Sequence, residues 1–269
     1  MAGRGVSADF VEALARGLDV IRAFSDTRLQ MSLSEVAAVT GLARPTARRL
    51  LLTLDELGYI RQTGSAFELT PKVLDLGYAY VSSLGLWQAA RPHLEDLVKH
   101  TGESSSMAQL SGSDIIYTAR VAVPKIIALR VEIGTRFPAV VTSQGKVLLA
   151  ALDEAALLQT LVIPSNSNVV IGHRDTDDLQ RELETVRAQG WAMADEELAP
   201  GVRSIAAPVR DGSGAVRAAV NVTVHAAETS REVLIDRHLA PLLAAAAKIS
   251  ADWKRLKDRP FEAFEEHTP

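Results

Sequence analysis

The residue types with the clearest chemistry in this sequence are three arginines and a threonine that fall close together in its first third. Guanidinium groups pair with phosphate oxygens and donate to guanine edges, and a threonine hydroxyl adds a short polar contact. Apolar residues recur between them at helical spacing. The polar residues are Arg44, Thr46, Arg48 and Arg49, and the apolar stripe is Ala47, Leu50, Leu51, Leu54 and Leu57. The pattern predicts an amphipathic helix whose early, exposed turns read duplex DNA.

The residues before this helix predict how it is positioned. Ser32 and Glu35 have the spacing of a capping box, which begins a short helix, and Gly41 ends that helix. Pro45 suits the first turn of the second helix, although Ala43 stands where a capping serine is expected. Two short helices joined at a glycine, with basic residues on the second, are typical of a helix-turn-helix.

A β-hairpin is predicted to follow the helix-turn-helix. The runs 59–62 and 66–69 flank a turn that contains Gly64, as expected of a wing that brings Arg61 beside the DNA. A helix at the start of the chain is predicted to complete this small core through five residues at helical spacing. They are Phe10, Leu14, Leu18, Ile21 and Phe24. The first part of the chain therefore reads as a winged helix-turn-helix.

Bulk charge does not separate a DNA-binding module from one that docks protein. The first 70 residues contain eight arginines and eight acidic residues, so the prediction depends on the placement of Arg44, Arg48 and Arg49. Binding of double-stranded DNA is the favoured interpretation, and a winged helix that docks protein is the alternative. A strongly salt-dependent affinity for DNA would exclude that alternative.

Length and composition predict two domains in a reducing compartment. The chain has 269 residues and a net charge of −4. It has no cysteine, which excludes disulfides, thiol nucleophiles and zinc–thiolate sites. No apolar run approaches a membrane span and the first residues lack a signal-peptide core, so we expect a cytoplasmic protein without membrane contact. The predicted divisions are a flexible start at 1–9, a winged helix at 10–71, connector helices at 72–101, a second domain at 102–256 and a tail at 257–269.

From residue 103 the sequence changes to short β-branched runs separated by turns and helices. Turns at 111–114 and 211–214 predict hairpins, Thr176 is predicted to cap a helix, and Gly190 to end it. The predicted strands are 105–110, 115–121, 126–133, 204–209 and 216–224, and the predicted helices are 143–152, 176–189 and 231–255. An antiparallel sheet flanked by helices is an α+β architecture.

Four stretches of the sequence resemble the isocitrate lyase regulator (IclR) family of bacterial transcription factors. They are LSEVAAVTGLARPTARRLLLTLDELGYI, LTPKVLDLGYAYVSSLGLWQAARPHLEDL, FPAVVTSQGKVLLAAL and DEELAPGVRSIAAPVRDGSGAVRAAVNV. The stretches LGYAYVSSLGLW and GVRSIAAPVRD are most similar to the branch that controls the catabolism of aromatic acids such as protocatechuate or 4-hydroxybenzoate. The resemblance implies a C-terminal GAF-like effector domain, a homodimer or homotetramer, and a small organic acid that alters action on promoter DNA.

The same resemblance implies an effector pocket at a predicted helix N-terminus, where Ser143 and Gln144 would touch the ligand. Such a terminus presents amide N–H groups and a positive dipole end, which suits a carboxylate. Ser143 as a helix cap is the equally open alternative. Lys146 is not a phosphate-loop lysine, because Val147 stands where that loop needs Ser or Thr.

Strand residues supply the remaining pocket candidates. Asn221 and Thr223 share one face of a predicted strand by alternation, and Ser204 joins them from another strand. Buried polar residues of this kind often satisfy nearby backbone instead. Ile126 and Arg130 share a face of the 126–133 run, where Arg130 either pairs with a ligand carboxylate or faces outward.

The family often has an acidic residue where this chain has Ala194, and Asp195 next to it points to the opposite face if that segment is extended. We therefore do not transfer the acidic contact. An enzyme is the remaining alternative, but the six histidines are scattered and no metal-ligand spacing, nucleophile elbow or dinucleotide loop occurs. The sequence predicts no cofactor, no metal and no catalytic residue.

Overall fold

The computed structural model describes residues 9–25, 27–77, 86–124, 131–172 and 175–257. Contacts between residues divide the chain into two compact units, 1–80 and 81–269. None of the helices in the described ranges has the length and apolarity of a membrane span. Most of the predicted flexible start, residues 78–85 of the predicted connector, and all of the predicted tail except residue 257 lie outside the described residues.

The first unit is a small helical core with a three-stranded sheet. Its elements are α1 (Glu12–Ala23), β1 (Gln30–Ser32), α2 (Leu33–Thr40), α3 (Arg44–Glu56), β2 (Ile60–Thr63) and β3 (Ala66–Leu69). The strand order is β1-β3-β2, with antiparallel pairing throughout. The predicted helix-turn-helix and hairpin are confirmed, whereas β1 was not predicted.

The turn between α2 and α3 is fixed at both ends of α2. Ser32 is the N-cap, since its Oγ accepts a hydrogen bond from Glu35 N at 3.3 Å and Glu35 Oε2 accepts one from Ser32 N at 2.7 Å. Gly41 has φ of 65°, a left-handed conformation that favours glycine, and its N–H bonds back to carbonyls of α2. The predicted capping box and glycine stop are confirmed, and together they set the direction in which α3 leaves the turn.

The predicted core face at α1 is confirmed at Phe24, which is buried, and at Ile21, which packs against the same core, but it was wrong for the three residues before them. Phe10, Leu14 and Leu18 are 41%, 65% and 47% exposed, whereas Val20 and Ala23 on the same helix are buried. Apolar residues occupy two neighbouring rows of this helix, and spacing alone does not decide which row packs inward. Leu57, predicted to belong to the core stripe of α3, is also exposed, because it follows the end of that helix.

The second unit is a six-stranded antiparallel sheet between two layers of helices. Its strand order is β6-β5-β4-β9-β8-β7, and the predicted α+β architecture is confirmed. Its helices are α4 (Leu86–Thr101), α5 (Ser143–Ala150), α6 (Glu154–Leu161), α7 (Thr176–Gln189), α8 (Arg231–Leu234) and α9 (Ala240–Lys257). Its strands are β4 (Ser104–Ser111), β5 (Asp114–Val121), β6 (Arg136–Pro138), β7 (Ala192–Asp195), β8 (Val202–Arg210) and β9 (Val216–His225).

The two faces of the sheet have separate cores because side chains alternate along each strand. Ile205 packs with residues of α4 and α9, such as Leu94 and Trp253, in one core. Its neighbour Ala206 belongs to the other core, where helices α5 and α7 contribute residues such as Leu183. Small residues on this second face leave room for α5 to lie across the centre of the sheet, which brings its N-terminus against β4, β8 and β9.

Several local predictions require correction. Thr142, and not Ser143, caps α5, since Thr142 Oγ1 accepts a hydrogen bond from Gly145 N at 3.1 Å. Asp175, and not Thr176, caps α7 through bonds from the amides of Asp177 and Asp178. In both cases the polar residue one position earlier has the extended backbone that a cap needs.

Segment boundaries also differ from the predictions. In the predicted strand 126–133, residues 125–130 lie outside the described residues and residues 131–133 are not a strand. The predicted helix 231–255 is divided by a π-helical segment at Ile235–Leu239. The elements α6, β6 and β7 were not predicted, because each has eight residues or fewer and is too short to show a clear helical or alternating pattern.

Candidate DNA-contacting surface and effector pocket

The predicted DNA-contacting residues of α3 lie on its first two turns. Arg44, Pro45, Arg48 and Arg49 are exposed and Thr46 is half-buried, while Ala47, Leu51 and Leu54 are buried against the core of the first unit. Among the residues that the structure describes, none of these three arginines forms an ion pair. The guanidinium groups on this face are therefore available to an external anion.

The hairpin places Arg61 on the exposed strand β2, beside α3. Gln62 N donates to Asp55 Oδ1 at 3.0 Å, which ties β2 to the end of α3. Arg61 lies opposite Glu68 in the register of β2 and β3, and Glu68 also accepts a hydrogen bond from Gln30 at 2.8 Å. Arg61 thus has an acidic neighbour, which distinguishes it from the arginines of α3.

A small cavity lies where the N-terminus of α5 meets the sheet of the second unit. Its free space is about 30 Å³, close to the volume that one water molecule occupies in the liquid. Five residues predicted to bind an effector line this cavity. They are Ser143, Gln144, Ser204, Asn221 and Thr223. The structure therefore brings together residues from α5, β8 and β9 that are separated by up to 80 positions in sequence.

The polar groups around the cavity hold each other in place. Ser143 Oγ and Ser204 Oγ are 2.8 Å apart, and Asn221 Nδ2 donates to Thr223 Oγ1 at 3.0 Å. Asn221 Oδ1 accepts from Ser106 N at 3.0 Å. With Thr142 as the cap, Ser143 is directed towards the sheet, so the hydroxyl that was predicted to cap or to contact ligand contributes to the cavity wall.

Arg120 is a cavity residue that the sequence prediction missed. It lines the cavity together with the buried ring of Tyr117. Strand alternation places residues 117 and 120 on opposite faces, but the register between β4 and β5 shifts at Met107 and Ala108. Tyr117 therefore lies opposite Ala108 and Arg120 opposite Ser106, so that both face the cavity. A bulge of this kind leaves no distinct signal in the sequence.

The two other predicted effector residues, Ile126 and Arg130, lie outside the described residues. The structure of β7 shows whether Asp195 replaces the acidic residue that the family often has at the position of Ala194. Ala194 lines the cavity and is paired with Ser204. Asp195 faces the other way, where its carboxylate accepts a hydrogen bond from Arg203 Nε at 2.5 Å. Asp195 does not take the place of an acidic cavity residue.

Lys146, on the next turn of α5, has a fully buried side chain. Its Nζ lies 2.5 Å from Glu182 Oε1 and 2.5 Å from Glu197 Oε1, and it donates to Met193 O at 3.0 Å. Glu182 is on α7, and Glu197 precedes Leu198, which lines the cavity. The ammonium thus joins α5, α7 and the turn after β7, and it stands outside the cavity wall.

A wider cleft of about 410 Å³ lies between α6 and α7. Its floor is formed by leucines such as Leu179 and Leu183, and none of its polar lining residues is buried. In the described part of the chain no group of three or more His, Asp or Glu residues has the arrangement of a metal site. The small cavity at α5 is therefore the better candidate for recognition of a polar ligand.

A winged helix-turn-helix joined to an α+β unit with an enclosed polar cavity defines the class of ligand-responsive DNA-binding regulators. Comparison with known proteins identifies the family. Residues 13–64 match the IclR helix-turn-helix domain and residues 78–251 match the bacterial transcriptional regulator IclR C-terminal domain. The chain belongs to the IclR family of transcriptional regulators, as its sequence predicted, and it is not an enzyme.

Individual relatives support this placement. The Pca regulon regulatory protein of Pseudomonas putida is 40% identical over 242 residues, which cover 88% of this chain and 82% of the relative. The p-hydroxybenzoate hydroxylase transcriptional activator of Acinetobacter baylyi is 32% identical, covering 89% of this chain and 90% of the relative. A solved structure from Rhodococcus sp. RHA1 has a TM-score of 0.79 and 44% identity, covering 92% of this chain and 100% of that one. The resemblance to the aromatic-acid branch is confirmed.

Proposed function

We propose that this protein senses a small aromatic acid and controls a catabolic operon accordingly. The observation that carries the proposal is the enclosed cavity at the N-terminus of α5, where hydroxyl and amide groups from three elements converge. Such a wall suits a carboxylate and a polar substituent on a small ring. The names of the relatives point the same way, since one regulates the Pca regulon and another activates transcription for p-hydroxybenzoate hydroxylase.

The DNA-contacting role falls to exposed residues of α3 and the wing. Arg44, Arg48 and Arg49 have no ion-pair partner among the described residues. The full positive charge of each arginine is therefore available to pair with phosphate oxygens of DNA. Pro45 and Thr46 lie on the same turn of α3, and Arg61 reaches from β2. We infer that two copies of the chain, as a homodimer or within a homotetramer, present two such surfaces to successive half-sites of promoter DNA in the cytoplasm.

The size of the cavity supports a mechanism in which binding of the acid changes the conformation and thereby the binding of DNA. A free space of about 30 Å³ is too small for an aromatic ring, so acid binding must widen it. We infer that the wall widens at the turn after β7, which carries Leu198 and in which Glu196 has φ of 58°, a conformation that costs a non-glycine residue about 1–3 kcal/mol. The acid then favours one conformation over another, typically by about 1–3 kcal/mol.

Binding of the acid is tested by thermal unfolding of the purified protein with aromatic and short aliphatic acids. A ligand that binds the native state raises the melting temperature by mass action. We expect a shift with a hydroxybenzoate that is lost in Ser143→Ala and in Asn221→Ala, and retained in Ser165→Ala, whose serine bonds to Asp114 away from the cavity. The absence of a shift with any acid would contradict the proposed sensing role.

Binding of DNA is tested by fluorescence anisotropy with the promoter region upstream of the controlled genes. Arg48→Ala and Arg49→Ala should each weaken binding and reduce the slope of log affinity against log salt concentration by about 1. Arg16→Ala is the control, because this arginine lies on α1 and pairs with Glu12 at 2.8 Å. Unchanged promoter affinity in both α3 variants would show that the recognition helix has been assigned wrongly.

A further inference from the structure

Arg120 is a cation in the cavity wall without a counter-ion in the described part of the chain. Its one hydrogen bond there is from Nη1 to the neutral Ser106 Oγ, at 3.1 Å. Burial lowers the pKa of its guanidinium, which nevertheless remains protonated at neutral pH. A partly desolvated charge that lacks an opposite charge is unfavourable, and a bound anion would relieve that cost.

The rest of the described cavity wall is neutral. Burial raises the pKa of the Tyr117 hydroxyl far above neutrality, so that it stays protonated. The other polar lining residues are hydroxyl or amide side chains, and Arg120 is the only charged residue among those described at the wall. One positive charge, next to the positive end of the α5 dipole, suits a ligand with one carboxylate.

Gln144 supplies the second recognition group. Its Nε2 donates to Ser106 O at 2.9 Å and to Ala219 O at 3.1 Å, which fixes the orientation of the amide. Its Oε1 is buried and has no donor in the described part of the chain, while the residue is only 1% exposed and lines the cavity. A buried acceptor without a donor is unfavourable. A ligand hydroxyl, which donates a hydrogen bond, would satisfy it.

We propose that Arg120 anchors the carboxylate of the effector and that Gln144 Oε1 accepts a hydrogen bond from a hydroxyl of the same molecule. Both side chains bond to Ser106, one to its hydroxyl and the other to its carbonyl, so the two groups lie on either side of one residue of β4. The pocket therefore selects hydroxylated monocarboxylates. This inference rests on the proposed sensing function, but it assigns recognition to particular atoms and requires one carboxylate only.

The test is isothermal titration of the full chain with 4-hydroxybenzoate, its methyl ester, benzoate and the aliphatic hydroxy acid lactate. Wild-type protein should prefer 4-hydroxybenzoate to its ester, and Arg120→Met should lower affinity for the acid by about 10- to 100-fold while leaving affinity for the ester unchanged. Arg120→Lys should recover part of that loss. Arg136→Met is the matched control, since Arg136 is also half-buried in this unit and bonds to Ser111 O away from the cavity.

The hydroxyl is tested with ligands alone, because variants of Gln144 lose two bonds to backbone and would not fold reliably. Benzoate should bind wild-type protein about tenfold or more weakly than 4-hydroxybenzoate. Thermal unfolding of ligand-free Arg120→Met provides a further check. Its melting temperature should equal or exceed that of wild type, because an uncompensated charge has been removed. If Arg120 had a purely structural role, its replacement would lower the melting temperature.

The outcomes separate this inference from the proposed function. Arg120-dependent binding of lactate without binding of 4-hydroxybenzoate would overturn the aromatic effector and support the anchor. Binding of 4-hydroxybenzoate that Arg120→Met leaves unchanged, or equal affinity for the acid and the ester, would overturn the anchor and keep the aromatic effector. Equal affinity for benzoate and 4-hydroxybenzoate would overturn the role of Gln144, and no binding by any acid would overturn both proposals.

Discussion

At the scale of single residues, the buried ammonium of Lys146 gives the most direct prediction for stability. Replacing it by methionine leaves Glu182 and Glu197 facing each other without the cation that lies 2.5 Å from each. Breaking a fully buried ion pair costs about 3–5 kcal/mol, but Glu182 and Glu197 are 29% and 28% exposed, so water screens part of the charge that is left. We expect Lys146→Met to lower the free energy of unfolding by no more than this amount, measured by urea denaturation.

Two further variants identify the cause of that loss. Lys99→Met removes an exposed lysine that lies 3.7 Å from Asp96, and it should change stability by less than about 0.5 kcal/mol. Adding Glu182→Gln and Glu197→Gln to Lys146→Met removes the like charges and should recover part of the loss. If the triple variant is no more stable than Lys146→Met, lost packing and not charge accounts for the effect.

The environment of Asp211, in the hairpin between β8 and β9, predicts that the stability of the protein depends on pH. Hydrogen bonds from Ser213 Oγ and Arg217 Nε, together with backbone amides, hold the pKa of its carboxyl well below the usual range. A lowered folded-state pKa means that the stabilisation is complete above the unfolded-state pKa of about 3.9 and is lost as pH falls towards the folded-state pKa. Asp211→Asn should therefore be less stable than wild type at pH 7, with the difference shrinking as pH falls below about 4.

Urea denaturation across this pH range is the measurement, and Asp236→Asn is the control because Asp236 is exposed in the π-helical segment. A constant difference between Asp211→Asn and wild type from neutral to acidic pH would show that ionisation of Asp211 does not stabilise the hairpin.

Which cavity residues were predictable depended on how far each lies from a regular pattern. Ser204, Asn221 and Thr223 follow strict alternation in long strands, so their shared face was available from spacing. Arg120 follows a register shift at Met107 and Ala108 that depends on how two strands pair. The change of cap from Ser143 to Thr142 depends on the backbone entering α5 from a short 3₁₀ segment (Ala139–Val141), which spacing does not reveal.

At the scale of elements, Gly145 shows that α5 has little freedom to move against its neighbours. A Cβ added there would lie 2.0 Å from Ala139 O, a backbone atom that cannot turn aside. Glycine to alanine within a helix normally stabilises by about 0.5–1 kcal/mol. Gly145→Ala should instead destabilise the protein, and it should weaken effector binding because α5 carries part of the cavity wall.

Gly17→Ala is the matched control for this prediction. Gly17 also lies inside a helix, but a Cβ there would meet no atom within 4 Å. This variant should raise the free energy of unfolding of its unit by about 0.5–1 kcal/mol and leave effector affinity unchanged. Equal stabilisation by both substitutions in a chemical denaturation experiment would show that α5 is not held closely against the 3₁₀ segment.

Helices with strong end signals were predicted best, since the capping box of α2 and the glycine after α7 determine boundaries locally. The core face of α1 was predicted only at its C-terminal end, because two apolar rows compete along the rest of the helix and the tertiary fold selects between them. Short elements such as β1 and β7 form only through pairing with a longer neighbour. Their existence depends on contacts that are distant in sequence.

At the scale of the whole molecule, the division of contacts between residues 80 and 81 predicts two unfolding transitions. An effector that binds the second unit should raise the melting temperature of that transition alone. At a ligand concentration of about 100 times the dissociation constant the stabilisation is about 2.7 kcal/mol. Differential scanning calorimetry with and without 4-hydroxybenzoate is the measurement.

Two variants show which unfolding transition belongs to which unit. Gly17→Ala should shift the transition of the first unit and Lys146→Met that of the second. A single transition that shifts as a whole with ligand would mean that the two units unfold cooperatively and that the contact division has no thermodynamic counterpart.

The placement of two roles on four consecutive residues of α5 limits how this protein can acquire a new ligand. Ser143 and Gln144 face the cavity, while Gly145 and Lys146 hold the helix to its neighbours. Random variation in this stretch is therefore expected to yield mostly unfolded protein. Selection for biosensors with altered ligand preference should instead recover substitutions on the strands, at Arg120, Ser204 and Thr223, where the adjacent residues belong to a different core. In natural lineages, specificity would diverge on the sheet while the helix stays nearly constant.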